Sequence, residues 1–268
     1  MRNAAWEFLL FGLKEARACI FAGSFFVVLI LSKTLPLGSL PRYDFILLAA
    51  IVLQVILLAA RVESLSEAIV LGMFHLIGLV LELFKTHPAI GSWSYPEFGY
   101  TKLSTVPLYS GFMYAAVASY MCQAWRIFDL ELKHYPSYRW SILLCVAIYA
   151  NFFTNAFVQD VRFVLIPLVF VLFWRTQVYF TVWHERRRMP LVLSFFLIGF
   201  FIWVAENIAT FFGAWVYPEQ TAGWTVVSTQ KMSSWFLLVI ISFVIVADLK
   251  HWRERNALNA IETLPATE

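Results

Sequence analysis

Glu82-Leu-Phe-Lys-Thr-His-Pro-Ala-Ile-Gly-Ser-Trp-Ser-Tyr-Pro-Glu97 has a near copy in the second half of the chain, Glu206-Asn-Ile-Ala-Thr-Phe-Phe-Gly-Ala-Trp-Val-Tyr-Pro-Glu219. In each copy a Glu is followed one helical turn on by Thr, and then by Gly-(Ser/Ala)-Trp-x-Tyr-Pro-Glu. Each begins at the end of a long apolar run and leaves it through a turn marked by Gly and Pro. Self-similarity at a fixed offset means that one structural unit has been used twice. The two halves are therefore expected to share a fold, and the repeated acids and aromatics are the first candidates for a site.

The rest of the composition sets the solvent in which that fold forms. Of 268 residues, 61% are hydrophobic, 18% aromatic and 14% charged, against about 25% charged in soluble domains. Apolar runs of about 20 residues recur, each long enough to cross a hydrocarbon core of roughly 30 Å. The formal charge of +3 does not point to nucleic acid, because Lys and Arg sit mostly between the apolar runs; the lipid bilayer is the expected partner. Cys19, Cys122 and Cys145 lie inside apolar segments without CxxC spacing and read as packed thiols. The histidines lack HxxxH or HExxH spacing, so no metal is expected, and without a Walker, GxGxxG or GxSxG motif no cofactor is expected either.

Taken in order, residues 1–17 mix Trp6, Phe8, Leu9, Leu10 and Leu13 with Glu7, Lys14, Glu15 and Arg17. That pattern suits a short amphipathic helix lying at a membrane surface. The first apolar run has no cleavage signal behind it and reads as a retained span. The fold class is an all-α membrane protein with about eight transmembrane helices, near 18–35, 44–60, 67–82, 106–125, 140–157, 163–180, 191–212 and 233–249. They form two tandem parallel four-helix repeats, 18–130 and 131–250, followed by a cytoplasmic tail, 251–268, that reads as disordered. Four is even, so both halves enter the membrane from the same side, about a pseudo-twofold axis along its normal. Placing the N-terminus in the cytoplasm puts most Lys and Arg inside. The expected location is the inner (plasma) membrane, multi-pass, with both termini cytoplasmic and both aromatic turns outside; the oligomeric state is left open.

Glu82 and Glu206 lie near span ends, where a carboxylate facing lipid is costly, so each should turn inward. His75 and Lys85 share a helical face with Glu82. The set reads either as a tuned acid or as a structural ion pair. Glu206 has Asn207 beside it and no lysine in its own turn, which makes it the likelier proton donor unless Lys85 or Lys231 pairs with it. Trp93, Tyr95 and Glu97, with Trp215, Tyr217 and Glu219, either line a site or form a repeated re-entry into the membrane. Arg42 with Asp44, and Asp160 with Arg162, are most simply ion pairs at helix ends.

Five pieces, Pro41-Arg-Tyr-Asp-Phe45, Gly91-Ser-Trp-Ser-Tyr-Pro-Glu97, Val106-Pro-Leu-Tyr-Ser-Gly-Phe-Met-Tyr114, Ala205-Glu-Asn-Ile-Ala-Thr210 and Ala214-Trp-Val-Tyr-Pro218, together resemble the bacterial membrane family known as domain of unknown function 817. The resemblance covers nearly the whole chain and implies an integral membrane protein. A more distant likeness, over Gly78-Leu-Val-Leu-Glu82, Lys85-Thr86, Gly91, Tyr95 and Val106-Pro-Leu108, is to membrane carotenoid hydratases and related isoprenoid cyclases. The Gly-x-Pro-Phe-Gly core of that signature is absent here. The likeness implies acid–base chemistry on an apolar lipid or isoprenoid, with Glu206 or Glu82 catalytic. His75, Lys85, Trp93, Tyr95, Glu97, Asn207, Trp215, Tyr217, Glu219 and Lys231 would then surround the substrate. The alternative is a transporter for a small solute, with the carboxylates as coupling groups at the repeat interface.

Overall fold

The computed structural model describes residues 2–262. Among them are nine α-helices: α1 (Arg2–Ala18), α2 (Ile20–Thr34), α3 (Arg42–Ala59), α4 (Leu65–Lys85), α5 (Ser110–Ile127), α6 (Tyr138–Thr154), α7 (Arg162–Phe173), α8 (Leu191–Phe211) and α9 (Gln230–Glu262). A helix stands at each of the eight places expected from the apolar runs. Four of them, α3, α4, α8 and the Gln230–Lys250 part of α9, are long and apolar enough to cross a membrane. α1 and α2 qualify as a fifth only as one pair, bent by 66°. Large apolar side chains on these helices, such as Val55, Leu76 and Phe201, face outward. That is the surface of a helical membrane protein, whose hydrocarbon solvent leaves no reason to bury every apolar residue.

Two expectations are corrected. The sixth apolar run does not stay helical to residue 180. α7 ends at Phe173, a helix of 12 residues or about 18 Å. Gln177–Thr181 is instead a strand, the middle one of an antiparallel sheet with Glu131–Lys133 and Arg186–Pro190. The run Gln-Val-Tyr-Phe-Thr is β-branched and aromatic, and its apolarity alone does not distinguish strand from helix. The charged tail is also not unstructured from residue 251, since α9 continues through Glu262; residues 263–268 lie outside the described residues. The fold is thus helical with this three-stranded sheet at one end, the sheet end. The two aromatic turns lie at the other, the turn end. A two-residue hairpin pairs Lys102–Leu103 with Val106–Pro107 before α5.

α4 runs from the sheet end to the turn end. It starts at a capping box, in which Ser64 Oγ accepts from the Glu67 amide at 3.2 Å and Glu67 Oε2 accepts from the Ser64 amide at 2.8 Å. It stops at Thr86, whose hydroxyl donates to the Glu82 carbonyl at 2.9 Å, and Pro88 lies just beyond. α8 runs past the matching Thr210 and stops at Phe211, and Gly91 and Gly213 both take a positive φ, +60° and +66°. Only glycine reaches that conformation without a steric cost, which explains the glycine in both copies of the motif. α4 packs along α5, and α8 along α9. At each contact a glycine lets the neighbour in: Gly78 lies against the Tyr114 ring, and Gly199 against the backbone of Phe236.

Of four buried clusters among the described residues, two are large. One lies among α4 to α9, around Phe74, Ala118, Ile148, Val169, Phe195 and Ile240. The other lies under the turns and draws from both halves, with Phe25, Tyr43 and Tyr95 packed against Ala209, Trp215 and Tyr217. A methyl group added at Gly78 would stand 2.9 Å from Tyr114 Cβ, whereas one added at Gly72 meets nothing within 4 Å. Gly78→Ala should therefore destabilise the protein by about 1–3 kcal/mol. Gly72→Ala, in the same helix, should stabilise it by about 0.4–1 kcal/mol. Thermal unfolding of the detergent-solubilised protein checks the opposite signs.

Candidate functional site

Glu82 and Glu206, each 2% exposed, end their helices among hydrogen-bond donors. Glu82 Oε2 accepts from the Trp93 indole at 2.7 Å and the Tyr95 hydroxyl at 2.8 Å, and Oε1 accepts from the Tyr114 hydroxyl at 2.9 Å. Glu206 Oε1 accepts from the Tyr217 hydroxyl, and Oε2 from the Trp235 indole at 2.7 Å. Each carboxyl thus takes a phenol from its own turn and a second aromatic donor from the helix packed alongside, α5 or α9. Burial and the adjacent carboxylates push the Tyr95 and Tyr217 phenols well above their ordinary range, so both stay protonated and able to donate. An indole can only donate. Glu82 is satisfied in either state: ionised, it accepts all three bonds; protonated on Oε1, it can donate to Tyr114 while Oε2 keeps the other two.

The two turns also bind each other. The Ser94 amide donates to the Val216 carbonyl and the Val216 amide to the Ser94 carbonyl, both at 2.9 Å. Ser94 and Val216 hold the same place in the two copies of the motif, so the bridge relates equivalent residues. The Trp93 ring, bonded to Glu82, meets the Tyr217 ring, bonded to Glu206, edge-on at 6.2 Å. The Arg42 guanidinium, 9% exposed, fastens the join from below. It donates to Glu97 Oε1 in the first turn at 2.8 Å, and to the Phe212 and Gly213 carbonyls of the second at 2.6 and 2.9 Å. Lys33 adds a second cation on Glu97 at 3.1 Å.

The remaining candidates divide. Lys85 donates to Asn155 Oδ1 at 2.8 Å, while Glu82 accepts from Trp93, Tyr95 and Tyr114. Lys231 stands 4.4 Å from the Tyr217 ring centroid, and neither Lys85 nor Lys231 forms an ion pair with Glu206 among the described residues. Asn207 is used on backbone, donating to the Trp203 carbonyl and accepting from the Val227 amide. Trp215 packs in the core under the turns, while Glu219 is exposed. His75 lies against the Phe112 ring at 4.7 Å, its Nδ1 buried without a hydrogen-bond partner. Arg42 does not pair with Asp44, which accepts instead from the Tyr100 and Thr101 amides at 2.8 Å. Asp160 and Arg162 do form an ion pair, at 2.5 Å. Burial alone would raise the Asp160 carboxyl, but Arg162 and Asn151 outweigh it and hold it below the usual carboxylate range. Sequence reasoning missed Tyr114 and Trp235, the donors from the neighbouring helices. The available signal was Gly78, one turn from Glu82 on the same face, which leaves room for a large side chain.

Cavities of about 190 and 460 Å³ lie at the sheet end, the first lined by Ser64, Glu67, Cys122, Val246 and Lys250 and the second by Leu58, Arg61, Glu63 and Arg126.

Fold and site together define a helical membrane protein with two buried acids under interlocked aromatic turns. The sequence pattern of the family described as "Protein of unknown function (DUF817)" matches residues 7–243, and the chain belongs to that family. It is 52% identical over 250 residues to "Uncharacterized protein YoaT" of Bacillus subtilis (strain 168), covering 93% of this chain and 94% of that protein. No solved structure matches it significantly.

The donor sets dictate how the acids tolerate change. Glu82→Leu leaves three buried donors unpaired, at about 1–3 kcal/mol each, so the protein should fail to accumulate or should melt far lower. Glu82→Gln keeps an acceptor for Trp93 and Tyr95 and offers its amide to Tyr114, and should melt within a few degrees of the parent. Equal losses in the two variants would show that the bonds do not hold the site.

Proposed function

We propose that the protein is a multi-pass carrier with eight membrane crossings, built from two tandem four-helix halves, α2–α5 and α6–α9. The turn end faces outside, and both termini face the cytoplasm at the plasma membrane. Glu82 and Glu206 are its coupling groups. Gain of a proton exchanges charge-assisted hydrogen bonds for weaker neutral ones and loosens the aromatic turns that close the outer end, and loss of the proton tightens them, while a small solute passes between the halves. The observation that carries this reading is the bridge between Ser94 and Val216. It closes the turn end over both acids, and the 190 Å³ cavity opens at the sheet end between α4, α5 and α9, where the halves meet. The matched Glu, the two positive-φ glycines and the paired contacts of α4 with α5 and α8 with α9 support the repeat.

The acid–base reading, hydration or cyclisation of an isoprenoid, has one specific support. Glu206 carries two donors where Glu82 carries three. It keeps acceptor capacity to meet a substrate, and the Tyr217 and Trp235 rings stand beside it to face a developing cation.

Ala214, fully buried beneath the turns, reports the difference. In a background without the native cysteines, Ala214→Cys should react slowly with an impermeant maleimide from outside. Adding Glu82→Gln or Glu206→Gln should speed that reaction by about tenfold, the effect of roughly 1.4 kcal/mol on gate opening. Unchanged labelling in both contradicts the carrier. Unchanged labelling together with loss of isoprenoid conversion in Glu206→Gln supports the enzyme.

A further inference from the structure

Beside the carboxyls, at the turn end, lies a cluster of three cations, of which Lys231 touches the aromatic network, 4.4 Å from the Tyr217 ring centroid. Lys85 ends α4, Arg162 opens α7 and Lys231 stands in the first turn of α9. Lys85 feels the charges of Lys231, Arg162 and Asp160, and Lys231 those of Arg162, Glu206 and Glu219. A chain of contacts joins them. Lys85 bonds Asn155 on α6; Asn151, one turn earlier on α6, donates to Asp160 at 3.0 Å; Asp160 holds Arg162; and Arg162 reaches Ser234 Oγ at 3.1 Å, three residues from Lys231.

The nearby acids are already occupied or out of contact. Asp160 Oδ1 accepts from Asn151 and from the Arg162 amide, and Oδ2 from the guanidinium. Glu206 is taken by Tyr217 and Trp235, and Glu219 makes no ion pair within 4.0 Å of Lys231 among the described residues. Lys85 is 6% exposed, yet its ammonium donates to a neutral amide, that of Asn155. An ammonium withdrawn from water is costly unless a counter-charge meets it. Three donors on each lysine, less the one given to Asn155, remain to be directed at an acceptor. Polar side chains inside membrane proteins that lack a structural partner mark ligand paths.

We propose that Lys85, Lys231 and Arg162 form a binding site for an oxyanion, the carboxylate or phosphate group of a small solute or of a lipid head. Lys85 and Lys231 contact the anion directly. Arg162, held by Asp160, adds field and sets the Ser233 and Ser234 hydroxyls beside it. The site joins α4 of the first half to α6, α7 and α9 of the second, so an anion bound there draws the halves together at the outer end. It names the solute chemistry of the carrier and rests on that reading only for what binding achieves. Binding itself is an equilibrium property, so it can fail while the gate response of the Glu variants stands, or hold while that response fails.

The experiment uses the full chain in nanodiscs. Its melting temperature is followed against inorganic phosphate and acetate at constant ionic strength in zwitterionic phosphatidylcholine, and separately in discs doped with anionic phosphatidylglycerol. Saturable stabilisation by phosphate or acetate assigns a free solute; stabilisation only by phosphatidylglycerol assigns a lipid head. Either should weaken by about tenfold or more in apparent affinity in Lys85→Met and in Lys231→Met, as expected for losing a charge-assisted bond. Lys133→Met, on the sheet at the opposite end, should bind as the parent does. Should Lys85→Met not fold, Lys231→Met decides alone. No stabilisation by any of the three probes, or stabilisation that Lys231→Met leaves intact, overturns the proposal.

Discussion

A carboxylate at the end of an apolar helix has two ways to avoid hydrocarbon: reach water, or be surrounded by donors. Glu82 and Glu206 take the second. Three aromatic donors close on one acid and two on the other. Much of the turn end follows from meeting them. The turns bring Trp93, Tyr95 and Tyr217 back over the helix ends. Gly78 gives Tyr114 the room to lie against α4. α9 begins where it does so that Trp235 reaches Glu206. Aromatic residues suit this role because each offers one polar atom on a large apolar body, so they satisfy the acid and fill the core at once.

The same economy explains why the halves are joined through backbone. Within the turns, the Trp and Tyr side chains face inward, and the residue between them, Ser94 or Val216, has its peptide groups free. Each satisfies the other, which removes four polar groups from the list of unpaired ones. Arg42 then takes two carbonyls left over at the end of α8, together with the Glu97 carboxylate. A planar fork of five donors can do this where a lysine cannot. The acids, turns and clamp are thus joined by continuous contacts.

The helices and the paired acids were legible in sequence because each leaves a local signature: apolar runs, a Glu at the end of one, and a turn that recurs with five of its seven residues unchanged. The sheet was not. Gln177–Thr181 follows the apolar helix α7 closely and reads as its continuation, and its strand character depends on partners at 131–133 and 186–190 that the local sequence does not name. Arg42 was read with Asp44 because the two are close in sequence. The structure instead hands Arg42 to Glu97 and the far turn, and Asp44 to the amides of Tyr100 and Thr101. Tyr114 and Trp235 lay beyond reach for the same reason, since they come from helices whose packing angle the sequence does not state. Motif residues were therefore found, and their partners from other elements were not.

The central claim is that equivalent residues of the two turns pair over the buried acids. Ser94 and Val216 exchange both backbone hydrogen bonds, which sets their Cα atoms about 5.5 Å apart, within the roughly 4.4–6.8 Å that a disulfide spans. In a chain without its native cysteines, Ser94→Cys with Val216→Cys should form an intramolecular disulfide under mild oxidation, and the protein should melt at or above the parent temperature. A folded double variant whose thiols stay free, or link only between separate chains, would contradict the account.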